Sequence, residues 1–244
     1  MYELSFKAFG ERSILIEWPD GINDKVIDDV SRMRDALTQS LKNSEEIVDV
    51  VAAYNSLTII HRHNLINFPR RVDILKKIYA QAAHSTEQKK YIFTIPVCYH
   101  PSLAQDLKFF MQTTGLELAE IIDLHVRPLY RVCFLGFLPG FLYLSGLDKA
   151  LQLPRKSTPD PHIPKGSVAI GGGQTGIYPH ASPGGWHVIG KSPLQFFNAS
   201  IEPVCFAQGG DYIRFQSIGI EEYNKLVNDI AQDKYQIQSE PYHA

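Results

Sequence analysis

Apolar and polar positions alternate near the start of the chain. Leu4, Phe6 and Ala8 are separated by Ser5 and Lys7, and Ile14-Leu15-Ile16 follows a Gly-Glu-Arg turn. A period of two marks half-buried strands, so this stretch predicts a short strand pair. The period then lengthens. Ile22, Val26, Val30, Met33 and Leu37 fall on one helical face, with Asp20 and Asn23 available near the start. The β-rich runs Ile47 to Tyr54 and Leu57 to His61 flank Asn55-Ser56 and predict a hairpin. Pro69 opens a second helix that carries Val72, Leu75, Tyr79 and Ala82 on one face. Strands alternating with two helices predict a small N-terminal α+β sandwich, both helices on one sheet face. The polar stretch His84 to Lys90 reads as a linker, which places a boundary between residues 1–90 and 91–244.

Beyond it, Ile92 to Tyr99 predicts a strand. Ser102 is placed to cap a helix through Leu103, Leu107, Phe110 and Met111, and Leu118, Ile121, Ile122 and Val126 mark another. From Tyr130 the helical period disappears. Short apolar runs alternate with glycine and proline, and most of the chain's 15 prolines and 17 glycines lie here. That texture predicts a β-barrel or sandwich. Ile220, Tyr223, Val227 and Ile230 predict a closing amphipathic helix, with a loosely held tail from Asp233 to Ala244. The fold class is therefore α+β, a small sandwich followed by a β-domain.

Composition narrows the function classes. The formal net charge of −2 leaves no basic stripe for a nucleic acid, and no apolar run approaches a membrane span. The N-terminus lacks the pattern of a signal peptide. Cys98, Cys133 and Cys205 are widely spaced in apolar surroundings, which reads as buried reduced thiols in a cytoplasmic protein rather than as a disulfide framework.

Three segments carry candidate chemistry. Gly136-Phe-Leu-Pro-Gly-Phe141 is a rigid loop displaying Phe137, Phe141 and Tyr143, either as core aromatics in a tight turn or as an aromatic wall for a ring or partner. Leu153-Pro-Arg-Lys-Ser-Thr-Pro159 offers Arg155, suited to bidentate recognition of a carboxylate or phosphate, with Lys156 and Thr158 beside it. Gly171-Gly-Gly-Gln-Thr-Gly176 lacks both the Walker spacing and the helix that a dinucleotide fingerprint needs. It leaves either a plain β-turn or an anion nest at Gly172 and Gly173, with Gln174 and Thr175 adding hydrogen-bonding groups. Among His125, His162, His180 and His187, the last is best placed as an acid/base, next to Trp186 after a Pro-Gly-Gly turn. No ligand spacing for a structural metal is present, and none is expected.

Together with Gln174-Thr-Gly-Ile-Tyr-Pro179, Ser182-Pro-Gly-Gly-Trp186 and Ile189-Gly190, these segments resemble, in order and spacing, the KipI / allophanate hydrolase subunit 1 family, and within it the members that serve ATP-dependent 5-oxoprolinases. The resemblance covers essentially the whole chain. It implies an N-terminal α+β domain and a C-terminal cyclophilin-like β-barrel. It also implies that the chain, with a KipA-like C subunit, activates 5-oxoproline with ATP, after which a LamB/YcsF-like A subunit completes ring opening to glutamate. Mg²⁺ would arrive with the nucleotide. Two other roles occur among relatives: carboxyl transfer from biotin in urea carboxylase, and inhibition of a sporulation histidine kinase. The chain departs from the family after Thr158-Pro159, where Asp160 stands in place of the usual arginine, and after Cys98-Tyr99, where His100-Pro-Ser-Leu replaces a glycine-containing loop.

An amide is a poor electrophile, and phosphorylating its oxygen couples ring opening to ATP. Such a site needs cations and N–H donors for developing charge and apolar walls against water. On this reading the glycine turn, Arg155 and Lys165 supply the first, Phe137, Phe141, Tyr143, Tyr178 and Trp186 supply the second, and His187, Arg155 and Gln174 are the expected catalytic residues.

Overall fold

Ser5–Ala8 (β1) and Ser13–Glu17 (β2) pair antiparallel with Phe6 opposite Ile16, as the alternation predicts. The computed structural model describes residues 1–19, 21, 23–41, 46–82 and 89–243, and the chain divides into two units, Met1–Gln88 and Lys89–Ala244. In the first, helix α1 (Asp24–Leu41) starts where the Asn23 side chain accepts the Val26 N–H at 3.0 Å. Strands β3 (Ile47–Ala52) and β4 (Ser56–His61) form the predicted hairpin, and helix α2 (Phe68–Ala82) carries Pro69 in its first turn. The sheet order is β1-β2-β4-β3, and Ile14, Ile16, Leu57 and Ile59 face Val26, Val30, Met33 and Leu75 of the helices. Buried Asp29 ties this layer together. It accepts Trp18 Nε1 at 2.8 Å, the Tyr79 hydroxyl, and Arg32 at 2.5 Å. Asp20, Ile22 and most of the predicted linker, His84 to Lys90, lie outside the described residues.

The second unit is a closed barrel. Its strands are β5 (Tyr91–Cys98), β6 (Leu129–Leu135), β7 (Leu142–Ser145), β9 (Ser167–Gly171), β10 (Gln174–Ile177), β12 (His187–Lys191) and β13 (Tyr212–Ile218). Around the wall they run β12-β9-β10-β7-β6-β13-β5, and Lys191 opposite Cys98 closes the ring. Only the β5–β13 pair is parallel. Two shorter strands, β8 (Asp160–Ile163) and β11 (Ser182–Gly184), pair with each other outside the wall. Val97, Val132, Leu144, Ile170, Ile189 and Phe215 are among the side chains that fill the interior.

Helix α3 spans Leu107–Thr114 and α4 spans Leu118–Val126, with Glu117 and Glu120 forming a capping box on the latter. The expected Ser102 cap is corrected: Ser102 sits in a turn with its hydroxyl on His100, and α3 begins only at the residue after Asp106. Asp106 does not cap the helix through its side chain either, because its carboxylate is engaged elsewhere. Helix α5 (Ile220–Ala231) closes the unit as its pattern predicts. The tail is not loose. Gln238–Pro241 forms β14, antiparallel to β5, and Tyr242 stacks on Tyr212 at 4.1 Å. Its four strand residues are all exposed, so no hydrophobic alternation announces it. Among the described residues no helix is long and apolar enough to cross a membrane.

A polar chain crosses the barrel interior. The Tyr99 hydroxyl lies 2.7 Å from His125 Nδ1, His125 Nε2 lies 3.0 Å from Thr175 Oγ1, and Thr175 Oγ1 donates to the Ala169 carbonyl at 3.1 Å. One proton arrangement satisfies all three: Tyr99 donates to Nδ1, and Nε2–H donates to Thr175. Complete burial of His125 holds its pKa down at about 3, so the ring is neutral. An unfolded histidine takes up its proton near pH 6.5, whereas the folded one resists until about 3. The unfolded state therefore binds more protons between these values, and stability falls as the pH drops through that window, at up to about 1.4 kcal/mol per pH unit from this group. In urea titrations from pH 7.5 to 4.5, His125→Gln is expected to lose stability less steeply than wild type. Equal slopes would show that His125 is not the buried neutral group described.

Candidate active site on the outer face of the barrel

Alternation along β7, β9, β10 and β12 sends one set of side chains into the barrel and the other outward. On the outer face Phe141, Tyr143, Ala169, Tyr178, Trp186 and Val188 pack together. Trp186 lies where two strands carry glycine. A Cβ at Gly171 would meet its indole at 2.6 Å, and one at Gly176 would meet it at 2.9 Å and the Leu142 carbonyl at 2.7 Å. The rings meet edge to face: Trp186 with Phe141 at 5.5 Å, Trp186 with Tyr143 at 5.6 Å, and Phe141 with Tyr178 at 5.1 Å. Such pairs add about 1 kcal/mol each beyond area burial. Burial pushes the Tyr178 phenol up to about 12, with a hydrogen bond from the Trp186 backbone pulling the other way. Gly184 leaves room for that hydroxyl, which occupies the place a Cβ there would need.

Phe137 stands at the tip of the Gly136–Phe141 loop, 61% exposed and with φ at +67°. A bulky residue rarely adopts that left-handed backbone. Its ring sits edge-on to Phe141 at 5.7 Å and to Tyr178 at 6.4 Å. Of the two readings open for this loop, Phe141 takes the place of a core aromatic and Phe137 stays displayed. Phe141, Tyr178 and Trp186 are buried against one another and make a floor, while Phe137 rises from it.

A strap from Leu153 to Asp160 crosses this face. The Leu153 carbonyl accepts the Gly172 N–H at 2.8 Å, the Pro154 carbonyl lies 2.9 Å from His187 Nε2, and the Lys156 N–H donates to the Gly185 carbonyl at 2.8 Å. Arg155 lays its guanidinium 5.5 Å from the centre of the Trp186 ring. Lys156 turns the other way. Its ammonium donates to both Asp106 oxygens at 2.7 Å and to Asp160. Asp106 also accepts the Val188 N–H at 2.7 Å and returns its own N–H to the Val188 carbonyl at 3.1 Å. Lys156 and Asp106 side chains are each only 15% exposed. The departure at Asp160 thus has a local partner: it is the second carboxylate on Lys156, and an arginine there would face that ammonium.

The fold brings Arg155, Phe137, Phe141, Tyr143, Tyr178 and Trp186 together. Gln174 is half-exposed opposite Gly171 on the hairpin beneath them, and Thr158 is exposed where the strap bends. Other predicted residues lie elsewhere. Thr175 is fully buried in the barrel on His125, not in a cleft. His187 is buried against the strap, its ring stacked on Phe109 at 5.5 Å, with its Nδ1 buried and unpartnered among the described residues. Gly172 and Gly173 form the two-residue β9–β10 hairpin loop, Gly172 with φ at +66°, and the Gly172 N–H is engaged by Leu153. Lys165 lies in the turn before β9. The cysteines are free, and burial pushes the Cys98 and Cys205 thiols up, away from a reactive thiolate. Sequence reasoning missed Asp106, which as a lone polar residue before a helix carries no distinguishing signal.

The carboxyltransferase domain, subdomain C and D, matches residues 4–207. The chain belongs to this carboxyltransferase-domain family. It is 32% identical over 228 residues to the 5-oxoprolinase B subunit of Bacillus subtilis (strain 168), covering 89% of this chain and 94% of that protein. It is 39% identical over 189 residues to the 5-oxoprolinase B subunit of Haemophilus influenzae, covering 76% of this chain and 86% of that protein. The crystal structure of TTHA0988 superposes with a TM-score of 0.73 at 32% identity, over 85% of this chain. The chain spans only 40% of that protein's length.

Within this carboxyltransferase domain, Gly176→Ala tests the seating of Trp186. The added methyl meets the Leu142 carbonyl as well as the indole, neither of which can move far, and overpacking of this kind costs about 1–3 kcal/mol. Urea unfolding is expected to show that loss, and Trp186 emission is expected to shift to the red as the ring is lifted toward water. Wild-type stability and emission would mean that the glycine does not make the notch.

Proposed function

We propose that the chain is the B subunit of an ATP-dependent 5-oxoprolinase, acting with a C subunit to activate 5-oxoproline and with an A subunit that completes hydrolysis to glutamate. The reading is carried by 32% and 39% identity, over most of the chain, to two proteins named as that subunit. The outer face of the barrel suits the part of the task that falls to this chain. Arg155 offers a guanidinium over Trp186, with half-buried Tyr143 and exposed Phe137 on the same face, groups that suit a small ring bearing an anionic group. Phe137 stands beside the floor and can exclude water from one side of a bound ring. No base is assigned to this face, because His187 is buried with its Nε2 engaged by the Pro154 carbonyl.

A coupled assay for ADP and glutamate tests the proposal. The chain alone is expected to be inactive, and turnover of 5-oxoproline with MgATP is expected once the C and A subunits are added. If the complete mixture consumes no 5-oxoproline but moves a carboxyl group to or from biotin, the carboxyl-transfer reading replaces this one.

A further inference from the structure

We infer that this chain seats the lactam by its carboxylate at Arg155, and that the nucleotide is held by a partner subunit. The inference rests on the 5-oxoprolinase reading and assigns the two ligands of that reaction to different chains. The strap carries two adjacent cations with opposite fates. Lys156 is enclosed by Asp106 and Asp160, so its charge is answered within the fold. Arg155 is exposed, makes no ion pair among the described residues, and has its guanidinium on Trp186. One planar fork of donors matches one carboxylate. Half-buried Tyr143 and exposed Phe137, packed above buried Phe141, offer apolar surface for a five-membered ring.

The same face does not fit a magnesium nucleotide. The turn that would cradle phosphates is a tight hairpin, and its Gly172 N–H is already donated to Leu153. The adjacent cation on the strap is closed by two carboxylates, so it has no charge free to answer a polyphosphate. Among the described residues no cluster of histidine, cysteine and acidic side chains is placed to hold a cation that would offset them. The geometry therefore selects a small monoanion with an apolar body.

Steady-state kinetics of the reconstituted enzyme separate the possibilities. Arg155→Met keeps an aliphatic stem on Trp186 and removes the fork. It is expected to raise KM for 5-oxoproline at least about tenfold and to leave KM for MgATP within about twofold. 2-Pyrrolidinone, the same lactam without the carboxylate, supplies a second reading. Wild type is expected to prefer 5-oxoproline strongly, and R155M is expected to lose most of that preference, which a general loosening of the fold would not produce. A thermal melt confirms that the variant is folded. If R155M is misfolded, saturation-transfer NMR on the wild-type chain decides, with 5-oxoproline and MgATP as probes. A rise confined to KM for MgATP, or MgATP displacing 5-oxoproline from the isolated chain, overturns the assignment while the 5-oxoprolinase activity of wild type stands. Failure of the wild-type complex to consume 5-oxoproline defeats the underlying reading, and this inference with it.

Discussion

Lys156 sits between Asp160, four positions on along the same strap, and Asp106, 50 positions away in sequence, and both carboxylates meet its ammonium. Asp106 precedes α3, Asp160 begins β8, and Asp106 in turn holds the backbone of β12 through Val188. An ion pair this enclosed contributes little net stability compared with a hydrophobic substitute. Losing one member, however, strands the other and costs about 3 kcal/mol. Its effect is therefore on geometry. With Lys156 pinned inward and the Pro154 carbonyl on His187, Arg155 between them projects onto Trp186.

The aromatic floor depends on space as well as on attraction. Trp186 is accommodated because Gly171 and Gly176 have no side chains to lift it, and Gly184 does the same for Tyr178. The glycines of this segment thus serve as hollows for rings, and one of them, Gly172, also turns the hairpin with a left-handed backbone. Without the fold, a run of glycines before Gln174 invites a phosphate cradle. In the fold, the outer face of β9 and β10 is covered by an indole.

Much of the architecture was legible in the order of residues. Helices α1, α2, α4 and α5 follow their apolar periods, and the strand pairs of the first unit follow theirs. Elements without a hydrophobic period were not legible. The exposed strand β14 carries none, and Ser102 looked like a cap because nothing in the sequence shows that its hydroxyl bonds His100. For the site, composition pointed to the correct segments but not to which face each side chain takes. Gln174 and Thr175 are neighbours, yet a strand period of two sends one outward and the other onto His125.

The route by which the barrel closes sets when it can form. Strand β5 begins the unit, and its parallel partner β13 follows only after β6 to β12, with Tyr212 paired to Ile92. Its other flank is completed by β14. During synthesis most of the first strand must wait, its flanks open, until β13 and β14 have emerged. Distant pairings of this kind make folding slow and leave strand edges exposed to other chains meanwhile. The first unit faces no such delay, since its four strands and two helices are contiguous within Met1–Gln88. The nascent chain thus emerges as a unit that can fold early, followed by a barrel whose native pairing waits for β13 and β14.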